Sequence, residues 1–165
     1  MIGLIQRVDK AQVEVSGEII ASVQRGLVTF IGVERGDTEA EAGRLIKRIL
    51  GYRVFPDDDG KMNRCLGDID GGLLLVPQFT LAADTRKGTR PSFSPAAPPE
   101  EARRLFDSLA EEARRAYARV GTGRFGAAMK VSLVNDGPVT FWLQVSPSRP
   151  QTEAARKAAS QRSPT

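Results

Sequence analysis

Two short strings hold the residues of this chain best suited to chemistry: Gln78-Phe79-Thr80 and Asn135-Asp136-Gly137-Pro138. The first sets an amide, an aromatic ring and a hydroxyl on consecutive residues. The second joins four residue types that each favour turns for a reason of their own. Taken singly, both have ordinary readings that outweigh a functional one. Phe79 can be a strand-end residue tucked into the core, and the second string can be a plain turn.

What the chain lacks narrows the chemistry further. It contains no histidine, which excludes Ser-His-Asp and Cys-His nucleophile pairs, histidine metal sites and any imidazole acid or base. Its one cysteine, Cys65, excludes an intrachain disulfide and the usual thiolate zinc cages. Catalysis must then rely on carboxylates, hydroxyls, lysine, backbone dipoles or the substrate itself, and no cofactor is expected. The run Asp57-Asp58-Asp59-Gly60 lacks the alternating ligands and distal glutamate of a calcium loop, and reads as a solvated turn.

Charge does not by itself argue for nucleic acid. Of the net +4, +3 sits in residues 146–165, where Arg149, Arg156, Lys157 and Arg162 oppose Glu153. The body, residues 1–145, carries only +1 and so has no large basic field. No tract is apolar enough to span a membrane, and the first residues lack a signal-peptide core. A cytoplasmic protein is the expectation.

The elements that must position the two strings can be read from hydrophobic spacing. Residues 2–8 and 11–15 alternate as half-buried strands, and 18–23 follows Ser16-Gly17 as a hairpin partner. Residues 27–33 form a nearly continuous apolar run, as a central strand does. Thr38 and Glu41 make a capping box for a helix whose Ala42, Leu45, Ile46 and Ile49 share one face and which Gly51 ends. Residues 52–55 read as a strand, and Leu73 to Val76 as a buried strand leading into Pro77-Gln78-Phe79-Thr80. Pro98-Pro99 open a second helix carrying Ala102, Leu105, Phe106, Leu109, Ala113 and Tyr117 on one face. Strands at 129–134 and 139–145 flank Asn135-Asp136-Gly137-Pro138. The loop 82–99 is long enough to be functional or disordered, and the Pro-, Ser- and Arg-rich tail 146–165 is expected to be disordered. The fold class is α+β: one domain with a mostly antiparallel, curved, barrel-like sheet and two helices against it.

In order and along the whole body, these strings resemble the D-aminoacyl-tRNA deacylases. The resemblance is carried by Gln6-Arg7-Val8, Pro77 to Leu81, Lys87 to Phe93, Gly123 to Met129 and Asn135 to Thr140, and leaves only the tail outside. It implies a homodimer with active sites at the interface, each taking Gln78-Phe79-Thr80 from one subunit and a cis Gly137-Pro138 from the other. In that arrangement Gly137, lacking a Cβ, brings main-chain carbonyls up to the substrate ammonium and excludes L-amino acids. Arg7 matches the arginine that supports the cis-proline segment. The implied reaction is hydrolysis of the ester between a D-amino acid and the terminal adenosine of tRNA. It is a proofreading step that extends to glycine mischarged on an alanine tRNA. Backbone N–H groups near Phe79 and Thr80 would stabilise the oxyanion, with substrate assistance favoured over Thr80 as a covalent nucleophile. Phe79, Phe125 and Met129 are candidates for an adenine seat, their ordinary reading being core. Lys87 and Arg90 are candidates for phosphate contacts, their ordinary reading being a structural loop.

Pro77 departs from the serine common in the family and removes both a hydroxyl and an N–H. A proline there also occurs in a related animal deacylase that clears L-alanine. That relative lacks the counterpart of Phe79 and carries histidine where this chain has Phe141. Two rival readings therefore stand beside D-selective hydrolysis: an editing deacylase preferring L-alanine or glycine, and a catalytically silent RNA-binding module.

Overall fold

The computed structural model describes residues 1–147, which are organised around one mixed sheet and the two helices packed on it. The tail expected from residue 146 lies, from residue 148 onward, outside the described residues. Eight strands occur among the described residues: β1 (Ile2–Val15), β2 (Glu18–Val23), β3 (Gly26–Gly32), β4 (Phe55–Pro56), β5 (Met62–Arg64), β6 (Gly72–Pro77), β7 (Val120–Thr122) and β8 (Met129–Gln144). The helices are α1 (Glu39–Leu50) and α2 (Pro99–Ala116).

The main sheet runs β2-β1-β3-β6-β7, with β8 paired to β1. Strand β1 is antiparallel to β2, β3 and β8, whereas β3–β6 and β6–β7 are parallel. Strand β1 serves two neighbours in turn, β3 along Ile2 to Val8 and β2 along Ala11 to Val15. The sheet consequently curls, and β2 faces β7 across an open seam.

The continuous apolar runs of β3 and β6 follow from burial on both faces. Leu27, Ile31, Leu73 and Leu75 point to the helices, while Val28, Leu74 and Val76 point into the barrel with Val8 and Val13. Each of these fully buried side chains contributes about 1.5–3 kcal/mol of transfer free energy. Helix α1 starts as its spacing implies: Thr38 Oγ1 accepts from the Ala40 amide, and Glu41 accepts from the Thr38 amide at 2.8 Å. Helix α2 begins at Pro99, where a missing N–H costs nothing, and buries Leu105, Phe106 and Leu109.

The expected boundaries change in three places. Residues 2–8 and 11–15 are one strand, because β8 pairs along nearly its whole length. Residues 52–55 are not a strand of the main sheet; only Phe55–Pro56 pairs, in a small ribbon with β5. Asp57 forms the turn of that ribbon, accepting from the amides of Asp59 and Lys61 and from Asn63. The two expected C-terminal strands are likewise one strand, β8, and no hairpin turn separates them.

Candidate active site

Strand β6 ends because Pro77 has no N–H to extend the ladder. The Gln78 amide still reaches the Ile31 carbonyl at 2.7 Å, after which residues Phe79–Ala82 wind into a 3-10 turn. Its bonds run from the Leu81 amide to Gln78 and from the Ala83 amide to Thr80, both 3.2 Å. The amides of Phe79 and Thr80 stand at the start of the turn, where no carbonyl of the turn itself can reach them. The Gln78 side-chain amide donates to Thr80 Oγ1 at 2.5 Å, tying the two polar side chains together.

Gly32 lets this turn sit close on β3: a Cβ there would lie 2.9 Å from Leu81 Cβ and 3.4 Å from the Gln78 carbonyl oxygen. Gly32→Ala is therefore expected to push the turn outward and lower turnover about a hundredfold, since a shift of about 1 Å at a positioned group can cost that much. Steady-state turnover beside a thermal melt checks it: activity should fall while the melting temperature moves little.

The carboxyl ends of β3 and β6 open onto a groove of about 670 Å³ lined by Pro77, Gln78, Phe79, Phe93, Phe125 and Met129 among others. Phe79 is 56% exposed and packs against Phe93 with ring centroids 5.1 Å apart. The Arg103 guanidinium lies 5.1 Å over the Phe125 ring, fixing the opposite wall. Loop 82–99 is held in place by Arg35, whose amide bonds the Pro95 carbonyl at 2.8 Å and whose Nε bonds that of Ser94 at 2.6 Å. Reciprocal Asp84–Ser92 backbone bonds tie the loop across its base. Within the loop Arg86, Lys87 and Arg90 surround a second hollow of about 410 Å³. Hydrogen bonds from Arg86 hold the Asp84 carboxyl far below the usual carboxylate range.

Arg35 is the sole titratable side chain among the residues lining the larger groove. The groove is thus an apolar seat beside the start of the 3-10 turn and its Gln–Thr pair, and no side-chain general base lines it. Among the described residues no group of three or more Cys, Asp or Glu is placed to hold a metal ion.

Arg7, Gly137 and Pro138 lie elsewhere, at an irregularity between β1 and β8. Val8 pairs with Asn135 and Gln6 with Thr140, so two steps along β1 face five along β8. The three surplus residues are thrown out as a bulge. Asn135 closes its base, donating from Nδ2 to the carbonyls of Arg7 at 2.8 Å and Val139 at 3.3 Å. Arg7 donates from Nη1 to the Val54 carbonyl at 2.6 Å. Its Nε sits 2.8 Å from Asp136 Oδ2, an ion pair without hydrogen-bond alignment. The Gly137-Pro138 peptide is cis, Gly137 has φ +127°, and both residues are exposed.

The structure therefore gathers Gln78, Phe79, Phe125 and Met129 around one groove, with Thr80 bonded to Gln78 behind its rim. It gathers Arg7, Gly137 and Pro138 in a separate cluster outside that lining. Phe93, Arg35 and Arg103 are not among the site residues that the sequence points to, although Phe93 closes the Lys87 to Phe93 string. An aromatic residue in an otherwise polar loop was the one available sign for Phe93.

The profile of the family described as D-Tyr-tRNA(Tyr) deacylase matches residues 4–144. The chain belongs to that family. The D-aminoacyl-tRNA deacylase of Thioalkalivibrio sulfidiphilus is 61% identical over 90% of this chain and 100% of its own length. The protein of the same name from Alkalilimnicola ehrlichii is 62% identical, over 90% of this chain and 99% of its own. Among solved structures, a c-Myc DNA unwinding element binding protein superposes with a TM-score of 0.84 at 38% identity, covering 90% of this chain and all of that one. A probable eukaryotic D-amino acid tRNA deacylase shares the deacylase fold at a TM-score of 0.74 and 17% identity, over 87% of this chain and 98% of its own. These neighbours support the curved α+β architecture expected from the hydrophobic spacing.

Proposed function

We propose that this chain hydrolyses the ester of D-aminoacyl-tRNA, releasing a free D-amino acid and tRNA as a cytoplasmic proofreading step. The observation that carries the reading is an apolar groove, beside the start of the Phe79–Ala82 turn, whose lining holds no side-chain base. An aminoacyl ester is already activated, so positioning and oxyanion stabilisation suffice. Water adds to the ester carbonyl, and the amides of Phe79 and Thr80 hold the developing negative oxygen. The water proton passes through the neighbouring ribose hydroxyl to the departing ribose oxygen, and the carbonyl–oxygen bond breaks. Losing one oxyanion donor typically costs about 10²–10³ in rate. Phe79, Phe125 and Met129 seat the adenine, with Arg86, Lys87 and Arg90 toward the phosphates behind it.

The exposed Gly137-Pro138 bulge supports a homodimer in which each bulge enters the partner's groove. Its main-chain carbonyls read the position of the substrate ammonium and Cα while ignoring the side chain. An L-configured Cβ would meet backbone, whereas glycine, having none, would also be accepted. Arg7 acts by positioning, through Asp136 and the Val54 carbonyl.

The purified protein, incubated with matched D-tyrosyl-, L-tyrosyl- and glycyl-tRNA, tests this directly by release of the amino acid. No release from the D-substrate at high enzyme would sink the hydrolase reading and leave an RNA-binding module. Faster hydrolysis of the L-substrate would remove the chiral role. Sedimentation of the same sample must report a dimer for the shared-site arrangement to hold. Thr80→Ala should fold and retain measurable activity, because the Thr80 amide survives the substitution. Complete loss in a well-folded dimer would favour Thr80 as nucleophile instead.

A further inference from the structure

The seam between β2 and β7 is a groove of about 710 Å³ that the hydrolytic site does not use. Arg25, Arg114 and Arg119 line it together with Ser22, Gln24 and Thr122, and Asp70 is its one carboxylate. Arg119 is paired with Asp70, whereas Arg114 is held by the neutral Thr122 hydroxyl at 2.8 Å and Arg25 lies over the Phe55 ring. A body of net charge +1 thus gathers +2 in one groove, with two guanidinium charges that no carboxylate offsets. All three arginines are exposed.

We propose that this groove holds the phosphate backbone of the tRNA acceptor stem, a second contact on the substrate of the hydrolytic site. The inference rests on the deacylase reading above. Guanidinium forks with hydroxyl and amide neighbours match phosphate oxygens. No aromatic residue lines the groove, so it offers nothing for unstacked bases and suits a duplex backbone. Its position fits as well. Gly72, at one end of β6, lines this groove, and Pro77, at the other end, lines the ester site. Five residue steps of extended strand separate them by about 17 Å. The unpaired 3′ end of tRNA keeps the acylated ribose away from the first stem base pair, so a duplex contact belongs at such a distance from the ester.

The test compares wild type with Arg25→Gln/Arg114→Gln in two assays. Binding of labelled uncharged tRNA is measured across salt concentrations, and hydrolysis is measured on D-tyrosyl-tRNA and on the D-tyrosyl ester of adenosine. The double variant should show a salt dependence shallower by about two phosphate contacts and a KM for the tRNA substrate raised roughly tenfold. Hydrolysis of the adenosine ester should be unchanged. Arg114→Lys, which keeps the charge, should retain most of the tRNA affinity. Arg114→Gln and Arg119→Gln alone give the same readout in smaller steps if Arg25→Gln disturbs the fold. Unchanged tRNA binding, or equal losses on both substrates, would overturn the proposal. Wild-type protein inert on both esters would instead defeat the deacylase reading, with the salt dependence still reporting on the groove.

Discussion

Gly137→Ala is expected to lower kcat/KM for D-aminoacyl-tRNA by about two orders of magnitude while leaving the protein folded. A Cβ at this position would lie 2.7 Å from Val139 Cγ2, 2.9 Å from the Val139 amide nitrogen and 3.2 Å from an Arg7 Nη atom. Two of these neighbours belong to the next-but-one residue of the same bulge and cannot withdraw independently of it. The backbone also sits at φ +127°, which an L side chain adopts only at a cost of about 1–3 kcal/mol. The bulge must therefore move, and the carbonyls proposed to read the ammonium move with it. Because the bulge is exposed and outside the core, the melting temperature should change by only a few degrees. D- and L-tyrosyl-tRNA hydrolysis measured side by side reads the effect; near-wild-type kinetics on both would remove Gly137 from the site.

The second large effect is on stability. The α-ammonium of Met1 is fully buried, 2.7 Å from Asp37 Oδ1, 3.0 Å from Glu34 Oε2 and 2.7 Å from the Val145 carbonyl. Asp37 also accepts from the Glu34 amide at 2.7 Å through its other oxygen. Its side chain is 1% exposed, against 25% for Glu34. Asp37→Asn would leave a buried cation facing only the more exposed and weaker partner. Breaking a buried pair in this way costs about 3–5 kcal/mol. For a domain of this size that lowers the melting temperature by roughly 10 °C. Glu34→Gln should cost clearly less, and equal losses for the two variants would contradict this division.

Periodicity made the scaffold legible. The capping box at Thr38 and Glu41, the helix opening at Pro99 and the apolar runs of β3 and β6 are local signals, and the structure follows them. The structure departs from local signals where a long-range partner overrides local chemistry. Asn135-Asp136-Gly137-Pro138 has the composition of a turn, yet β1 pairs on both sides of it and makes it a bulge inside one strand. Residues 52–54 have strand-like composition, but the main sheet leaves them no neighbour to pair with. The candidate site was partly legible for the same reason. Gln78, Phe79, Phe125 and Met129 share a groove because the end of β6, the connection between β7 and β8, and the start of β8 meet there. Phe93 and Arg35 enter it through loop bonds that no spacing encodes.

The pairing of β1 with β8 joins the first strand of the described chain to the last. During synthesis β1 emerges early and waits for more than a hundred residues before its long partner is available. Pairings of such sequence separation close slowly, and an unpaired strand edge is prone to aggregate while it remains open. The Gly137-Pro138 bulge is itself part of β8, and the Met1 ammonium finds the Val145 carbonyl only when that strand docks. A nascent chain halted before residue 129 would accordingly carry the whole Gln78-Phe79-Thr80 turn and both helices, yet neither a closed edge nor the Gly137-Pro138 bulge.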